Sequence, residues 1–183
     1  MNTSRTMAPI VPRTEPPLSA DVPRHWLADH MVATHIANGV NLLFPVGERA
    51  FVRSVNHFLP TLHDPELRAR VKGFFGQEGR HAHAHDGFND VLRAQGYRID
   101  DFLERYQRVV GLIEARLSPT LRLAMTAAAE HFTAIMARDA LSNAAPLAFA
   151  HPDMRALLGW HAAEEIEHKA VAYDVLQEVD PRY

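Results

Sequence analysis

The sequence Trp160-His161-Ala162-Ala163-Glu164-Glu165-Ile166-Glu167-His168-Lys169 carries the pattern that decides the fold. Residues three or four apart lie on one face of an α-helix, so His161, Glu165 and His168 point the same way. Apolar residues extend this row in both directions, at Met154, Leu158, Ala172, Val175 and Val179. The pattern predicts a helix whose inward face carries ionisable side chains among apolar ones. Because an unpaired buried charge is costly, these side chains require a cationic partner.

A second stretch repeats this arrangement. Glu78 and His81 lie in the middle of a row of residues that are again three or four apart. The row comprises Leu67, Val71, Phe74, Glu78, His81, His85, Phe88 and Leu92. Two facing helices of this kind supply two carboxylates and two imidazoles. A di-metal centre in a four-helix bundle then requires one further glutamate from each of the other two helices.

Two other predicted helices each place one acidic residue on the inward face. Glu48 lies in an apolar row that extends from Phe44 to Leu62, one turn after Pro45, a residue tolerated in a first helical turn. Glu130 lies in a row of small and apolar residues in a helix that begins at Ser118-Pro119. The order of these acidic helices predicts an all-α, ferritin-like antiparallel four-helix bundle with accessory helices.

The same pattern predicts several helix boundaries. Asp64-Pro65-Glu66 indicates a helix start and Gly96 a left-handed helix end. Residues 100 to about 117 read as an amphipathic connecting helix outside the site. The last helix is expected to continue without interruption from about Asp153 to Val179.

Six side chains form the predicted centre: Glu48, Glu78, His81, Glu130, Glu165 and His168. We expect the glutamates of the two Glu-x-x-His pairs to bridge or chelate two metal ions, each histidine to bind one metal, and the other two glutamates to cap the ends. Four carboxylates nearly balance the charge of two divalent cations. Mixed oxygen and nitrogen donors suit iron or manganese, with zinc as an alternative. The competing interpretation is that all six are ordinary polar residues on solvated helix faces.

Four further polar residues lie beside this set. His161, one turn before Glu165, is either a seventh ligand or a histidine that supports the ligands, and the sequence leaves both open. His85, one turn after His81, fits a supporting or pocket residue better than a ligand. Gln77 and Glu164 each precede a ligand glutamate and can orient the ring of the opposite histidine.

Composition limits the function further. The 183 residues are 47% hydrophobic, which is most simply one domain, with residues 1–24 as a disordered Pro-rich tail and 25–183 as the helical bundle. A net charge of −3 gives no reason to expect nucleic acid or a membrane as partner. The absence of cysteine excludes disulfides and thiolate sites. Since no signal-peptide core or apolar span is present, we expect a cytoplasmic protein.

Three motifs resemble those of the ferritin-like group named predicted metal-dependent hydrolases. They are Phe44-Pro45-x-Gly47-Glu48, Gln77-Glu78-x-x-His81 and Trp160-His161-x-x-Glu164-Glu165-x-Glu167-His168-Lys169-x-Val171-Ala172-Tyr173-Asp174. The resemblance covers about residues 26–183 and implies a metal-dependent enzyme. Chains of that group usually continue further, so this one is expected to be short or truncated at Tyr183, and a surface left bare would favour a homodimer.

The run His161-x-x-x-Glu165-x-x-His168 also resembles that of di-iron arylamine N-oxygenases, whose extra histidine coordinates one iron. The leading interpretation is therefore a di-iron centre that activates oxygen to oxidise a small organic substrate. A di-metal hydrolase of an ester or amide is the first alternative. A non-catalytic iron-binding bundle is the second.

Overall fold

A computed structural model of the chain describes residues 7–11, 14–142 and 145–182. Within these residues the regular structure is helical, apart from one isolated bridge between Leu27 and Ala150, so the prediction of an all-α chain is confirmed. The helices are α1 (Met31–Asn41), α2 (Phe44–Asn56), a 3-10 helix (Leu59–Thr61), α3 (Pro65–Ala94), α4 (Asp100–Arg116), α5 (Pro119–Ser142), α6 (Ala145–Ala148), α7 (Pro152–His168) and α8 (Val171–Val179). None of these described helices has the length and apolarity needed to cross a membrane.

The predicted boundaries of α3 and α5 are confirmed, and the contacts at their ends explain them. The Asp64 side chain accepts the backbone N–H of Glu66 at 2.8 Å and caps α3. Gly96 follows the end of the helix with φ of +85°, a conformation that glycine adopts without steric cost. At the start of α5 the Ser118 hydroxyl accepts the N–H of Leu121 at 3.2 Å.

The predicted uninterrupted helix from Asp153 to Val179 is wrong. Residues 169–170 form a turn that separates α7 from α8. The buried face of α8 consists of Val171, Ala172, Val175 and Leu176, whereas continuation of the α7 row would have buried Val179. Ala172 and Val175 of the predicted row are buried all the same, and Val179 is half-buried against the same hydrophobic cluster. The row from Phe44 to Leu62 is likewise interrupted, because α2 ends at Asn56.

The site-bearing helices pack as two neighbouring sets. α2 lies along α3, and α5 lies along α7 and α8; contacts of α2 with α5 and of α3 with α7 and α8 join the two sets. Along α3, the apolar residues Leu67, Val71 and Phe74 belong to one hydrophobic cluster, and Phe88 and Leu92 belong to a second. The ionisable residues of α3 lie between these clusters, so a buried polar layer separates two apolar ones.

Part of the predicted N-terminal tail contacts the helices. The backbone N–H of Ser19 donates to Asp153 Oδ2 at 2.8 Å, and the carbonyl oxygen of Ile10 accepts from Gln77 Nε2 at 3.1 Å. Val22 and Trp26 are buried in the second hydrophobic cluster. Residues 1–6 and 12–13 of that tail lie outside the described residues. The division into a tail and a domain at residue 24 stays a prediction.

Candidate metal centre

The six side chains of the predicted centre meet in the buried polar layer. They come from α2, α3, α5 and α7, and each is at most 4% exposed. Glu78, Glu130 and His168 offer ligand atoms that all lie within 4.8 Å of one another, and so do Glu48, Glu78 and His81. The interpretation as solvated helix faces is therefore wrong for these six residues, because helix packing removes them from water.

One half of the centre surrounds His168. Its Nε2 lies 3.0 Å from Glu78 Oε1, 3.4 Å from Glu130 Oε2 and 3.5 Å from Glu165 Oε1. Three carboxylates and one imidazole from three helices therefore converge on a single volume. Oxygen and nitrogen donors in this number can hold a divalent metal ion.

The other half of the centre contains His81, His161 and Glu48. The Nε2 atom of His161 lies 3.0 Å from Glu165 Oε1 and 3.5 Å from Glu48 Oε1. The Nδ1 atom of His81 lies 3.7 Å from the same Glu165 oxygen. Glu165 therefore touches both halves, and Glu78 takes part in ligand-like groups on both sides. The predicted roles of Glu78 and Glu165 as bridging or chelating ligands stay predictions.

The ring of His81 is held by the opposite helix. Its Nε2 lies 3.0 Å from Glu164 Oε2, and the other oxygen of Glu164 accepts the indole N–H of Trp160 at 2.7 Å. Burial raises the pKa of Glu164 to about 7, so above that pH the ionised carboxylate accepts from both groups. With its proton on Nε2, His81 presents the lone pair of Nδ1 to the centre.

The ring of His168 is held by a residue of α3, as the ring of His81 is held by a residue of α7. Its Nδ1–H donates to Gln77 Oε1 at 2.9 Å, and Gln77 Nε2 donates to Glu167 Oε2 at 2.9 Å. These bonds fix the amide orientation and leave Nε2 of His168 as the atom that faces the carboxylates. Each ring is thus oriented by the residue that precedes the Glu-x-x-His glutamate of the other helix. The sequence predicts this pairing, and its effect on a bound metal stays a prediction.

His161 is oriented by a chain of buried polar residues that the sequence did not reveal. Asn41 Nδ2 donates to Asn89 Oδ1 at 2.9 Å, so Asn41 Oδ1 is free to accept from His85 Nδ1 at 2.5 Å. His85 Nε2 then accepts from His161 Nδ1 at 2.6 Å. The chain leaves Nε2 of His161 as the ring nitrogen that faces Glu165 and Glu48. His85 thereby supports His161. Ligand atoms of His85, His161 and Glu48 also lie within 4.8 Å of one another.

Burial, and after it the neighbouring carboxylates, determines the pKa values of the two capping glutamates in the centre. Burial raises the pKa of Glu48 well above its ordinary value, and the neighbouring Glu78 and Glu165 raise it further. Burial, together with Glu78, does the same to the pKa of Glu130. Burial would also raise the pKa of Glu165, but contacts with His161 and His168 hold it well below its usual range. The carboxylates therefore compete for positive charge.

The pKa values of the histidines differ because their neighbours differ. Burial lowers the pKa of His81 and of His85 well below the usual value, and the nearby His161 lowers both further. Burial would also lower the pKa of His168, but Glu165 and Glu78 raise it well above its usual range. Two of these imidazoles are thus neutral, the form in which histidine binds metals.

The donor set is able to bind metal. Both carboxylate oxygens of Glu48, Glu78 and Glu130 and the Nδ1 atom of His81 are buried without a hydrogen-bond partner among the described residues. A buried polar atom without a partner costs free energy, and so many in one volume indicate a missing cationic partner. Buried histidine and glutamate groups able to bind metal are therefore present at the predicted location.

Comparison with known proteins places the chain in a family. A family model described as predicted metal-dependent hydrolase matches residues 13–183, which include all of the candidate ligands, and the chain belongs to that family. No curated protein and no solved structure matches the chain significantly.

Proposed function

We propose that this member of the predicted metal-dependent hydrolase family is a dinuclear metal enzyme on a ferritin-like antiparallel four-helix bundle. One observation carries the proposal: six buried ligand-type side chains from four helices direct unpartnered atoms at one another. The crossed contacts of Gln77 with His168 and of Glu164 with His81 support it, because metal-binding histidines are ordinarily held through their second nitrogen.

The donor set favours iron. Carboxylates with two or three imidazoles and no thiolate suit iron, with manganese or zinc as alternatives. His161 offers one more nitrogen at the half that contains His81 and Glu48, which supports its assignment as a seventh ligand. We infer that the two metals lie between Glu78 and Glu165, with Glu130 and Glu48 at opposite ends.

The leading reaction is oxidation of a small organic substrate with molecular oxygen. Two ferrous ions, when bound, would supply two of the four electrons that full reduction of oxygen requires, and the oxidised substrate would supply the other two. The protein's own residues would hold the metals between the two apolar clusters, and Glu164 lies close to His81 as a group with a pKa of about 7. A group with such a pKa can take up or release a proton at neutral pH.

Hydrolysis is the second candidate, and the family description favours it. Two metals can activate a water molecule for attack on an ester or amide. The same ligand geometry serves either reaction, so the chemistry of the metals decides between them. A homodimer, a cytoplasmic location and the lack of nucleic-acid and membrane partners stay predictions.

Oxygen uptake separates the candidates. Metal-free protein is loaded anaerobically with two equivalents of Fe(II) and mixed with oxygen while oxygen consumption and visible absorbance are followed. Consumption well above that of free Fe(II), with an absorbance change that wild type shows and Glu165→Ala does not, supports oxidation. Hydrolysis of aryl esters or amides by the Mn(II) or Zn(II) form, with an inert ferrous form, would support the hydrolase. Metal-dependent thermal stability with neither activity would contradict both.

A further inference from the structure

We propose that a cavity between α1, α5 and α7 binds a small uncharged aromatic molecule and presents it to the metal centre. The cavity has a volume of about 240 Å³, and the side chains of His161 and Glu165 form part of its wall. Both residues belong to the half of the centre that contains Glu48. The cavity therefore reaches candidate metal ligands directly from outside.

The chemistry of the wall excludes charged ligands. Val40, Met136, Leu147 and Leu158 give most of it an apolar character. Among the described lining residues, the ionisable ones are His161 and Glu165, and both are directed into the metal centre. Away from these two residues, an ammonium or carboxylate inside the cavity would lose its hydration without gaining a partner, which is unfavourable.

One hydroxyl group lines the cavity, and it is already engaged. Thr133 Oγ1 donates to the backbone oxygen of Glu130 at 3.1 Å. The hydroxyl can therefore accept a hydrogen bond from a ligand but has no proton left to donate. A ligand with a single O–H or N–H group fits this arrangement, and a ligand that needs several donors does not.

Size and wall geometry favour an aromatic ring. A buried apolar cavity of about 150 Å³ is sufficient for benzene, so the larger cavity here accommodates a substituted ring. The ring of Phe44 lines it and lies with its centroid 4.7 Å from that of His161 in an edge-on arrangement. Phenylalanine edges and the methionine sulfur both make favourable contacts with aromatic rings.

The cavity has an inner and an outer end. Met136 is 51% exposed and Val40 is 38% exposed, so they lie toward the surface, whereas His161 and Glu165 are buried. A bound ring would enter past the exposed pair and place its inner substituent against the buried pair. The reaction of this substituent rests on the proposed function. The binding of the ring does not depend on it.

A second cavity of similar size provides an internal control. It lies between α2, α4 and α5, has a volume of about 230 Å³, and is lined by Tyr106, Met125 and Ala129 among others. None of the candidate metal ligands belongs to its described lining. An aromatic ring that bound through apolar contacts alone would occupy both cavities.

Methionine methyl groups report on the two cavities separately. The protein is labelled with 13C at the methionine methyl groups, and p-xylene is titrated while the methyl NMR signals are recorded, with and without metal. We expect the Met136 signal to shift in a saturable way and the Met125 signal to stay in place. In the metal-free protein, the charged analogue p-toluate should leave both signals unmoved. Equal shifts at both methionines, or none at Met136, would overturn the proposal.

Two matched substitutions on α5 test the assignment. Ala140 lines the proposed site and Ala129 lines the control cavity, and both are half-buried. Ala140→Leu should weaken p-xylene binding by about tenfold or more, while Ala129→Leu should leave it within about twofold. Similar binding by both variants would contradict the site. Metal content is counted in each sample, so failure of the metal centre is seen separately from failure of ring binding.

Discussion

The two ends of the metal centre differ in what surrounds them. At the His168 end, the ring of Phe74 lies edge-on with its centroid 5.1 Å from that of His168. Phe74 belongs to a hydrophobic cluster that α8 completes with Ala172 and Val175. At the His161 end, Phe44 contacts the imidazole, and the cavity between α1, α5 and α7 begins there. One end is closed by core packing, and the other opens toward the surface.

This difference suggests that the two ends of the metal centre have different roles. The closed end has the denser ligand contacts, with three carboxylates around one imidazole nitrogen. The open end has the additional histidine, His161, and a support chain through His85 and Asn41. We infer that the closed end anchors a metal and that the open end meets the substrate.

The largest effect is expected from the residue shared by both ends. Glu165→Ala removes a carboxylate that contacts His168 on one side and His161 on the other, so binding should fall from about two metal ions per chain to fewer than one. Metal analysis after gel filtration measures this. Glu104→Ala, an exposed site on α4, is the control and should keep wild-type content. Retention of two ions by Glu165→Ala would refute the shared-ligand assignment.

Substitution of one histidine at each end comes next. His168→Ala removes the nitrogen around which the closed end is built, and we expect about one metal ion per chain to be lost. His161→Ala should retain about two ions, since Glu48, Glu165 and His81 remain at that end. Metal titration of both variants compares them. Equal losses would show that the two ends do not differ in the way proposed.

A smaller effect is expected from the residues that hold the rings. Gln77→Leu and Glu164→Gln alter the hydrogen bonds to His168 and His81, and such changes ordinarily cost about 10–100-fold in metal affinity. Competition with a chelator of known affinity measures the loss. Lys169→Gln, at an exposed position that follows α7, serves as control. Unchanged metal affinity in both variants would show that Gln77 and Glu164 do not support metal binding.

The last effect concerns the pH dependence of folding stability and the two capping glutamates, and it does not require bound metal. The pKa values of Glu48 and Glu130 are raised in the folded chain, mainly by burial, so the folded state holds protons that the unfolded state releases. Their contribution to stability is present below the ordinary carboxyl pKa and is lost as pH rises toward the raised values. Each contributes a slope of up to about 1.4 kcal/mol per pH unit.

Chemical denaturation of the metal-free protein between pH 4 and pH 7, conditions chosen to span the ordinary carboxyl range, tests this slope. Glu48→Gln and Glu130→Gln should each reduce the loss of stability with rising pH, because glutamine does not titrate. Equal slopes in wild type and both variants would contradict the burial of competing carboxylates. Added metal should oppose the loss in wild type, since it binds the ionised form.

The sequence was sufficient for most of the helices and for the burial of the six central side chains. Glu78 and His81 lie in a row whose spacing of three and four is itself a helix signal, and the apolar neighbours Phe74 and Phe88 mark that row as buried. The Glu-x-x-His pairs could be recognised because both members of each pair lie on one helix. The local spacing of residues within one helix therefore predicts these pairs.

Features that depend on how helices meet could not be predicted in this way. Asn41 reaches His85 only because α1 packs beside α3, and nothing in the spacing of the two residues indicates it. The turn at residues 169–170 contains neither glycine nor proline, so the sequence contains no signal for it. The described lining of the cavity at the open end comes from five helices, so no local sequence pattern indicates it.

Metal counting combined with anomalous diffraction from iron-loaded crystals tests the metal centre most directly. We predict two anomalous peaks, one enclosed by Glu78, Glu130 and His168 and one beside Glu48, His81 and His161, with Glu165 in contact with both. A single peak, or peaks outside the buried layer, would contradict the dinuclear centre. Two peaks whose open-end metal is not contacted by His161 would confirm the centre and remove the seventh ligand.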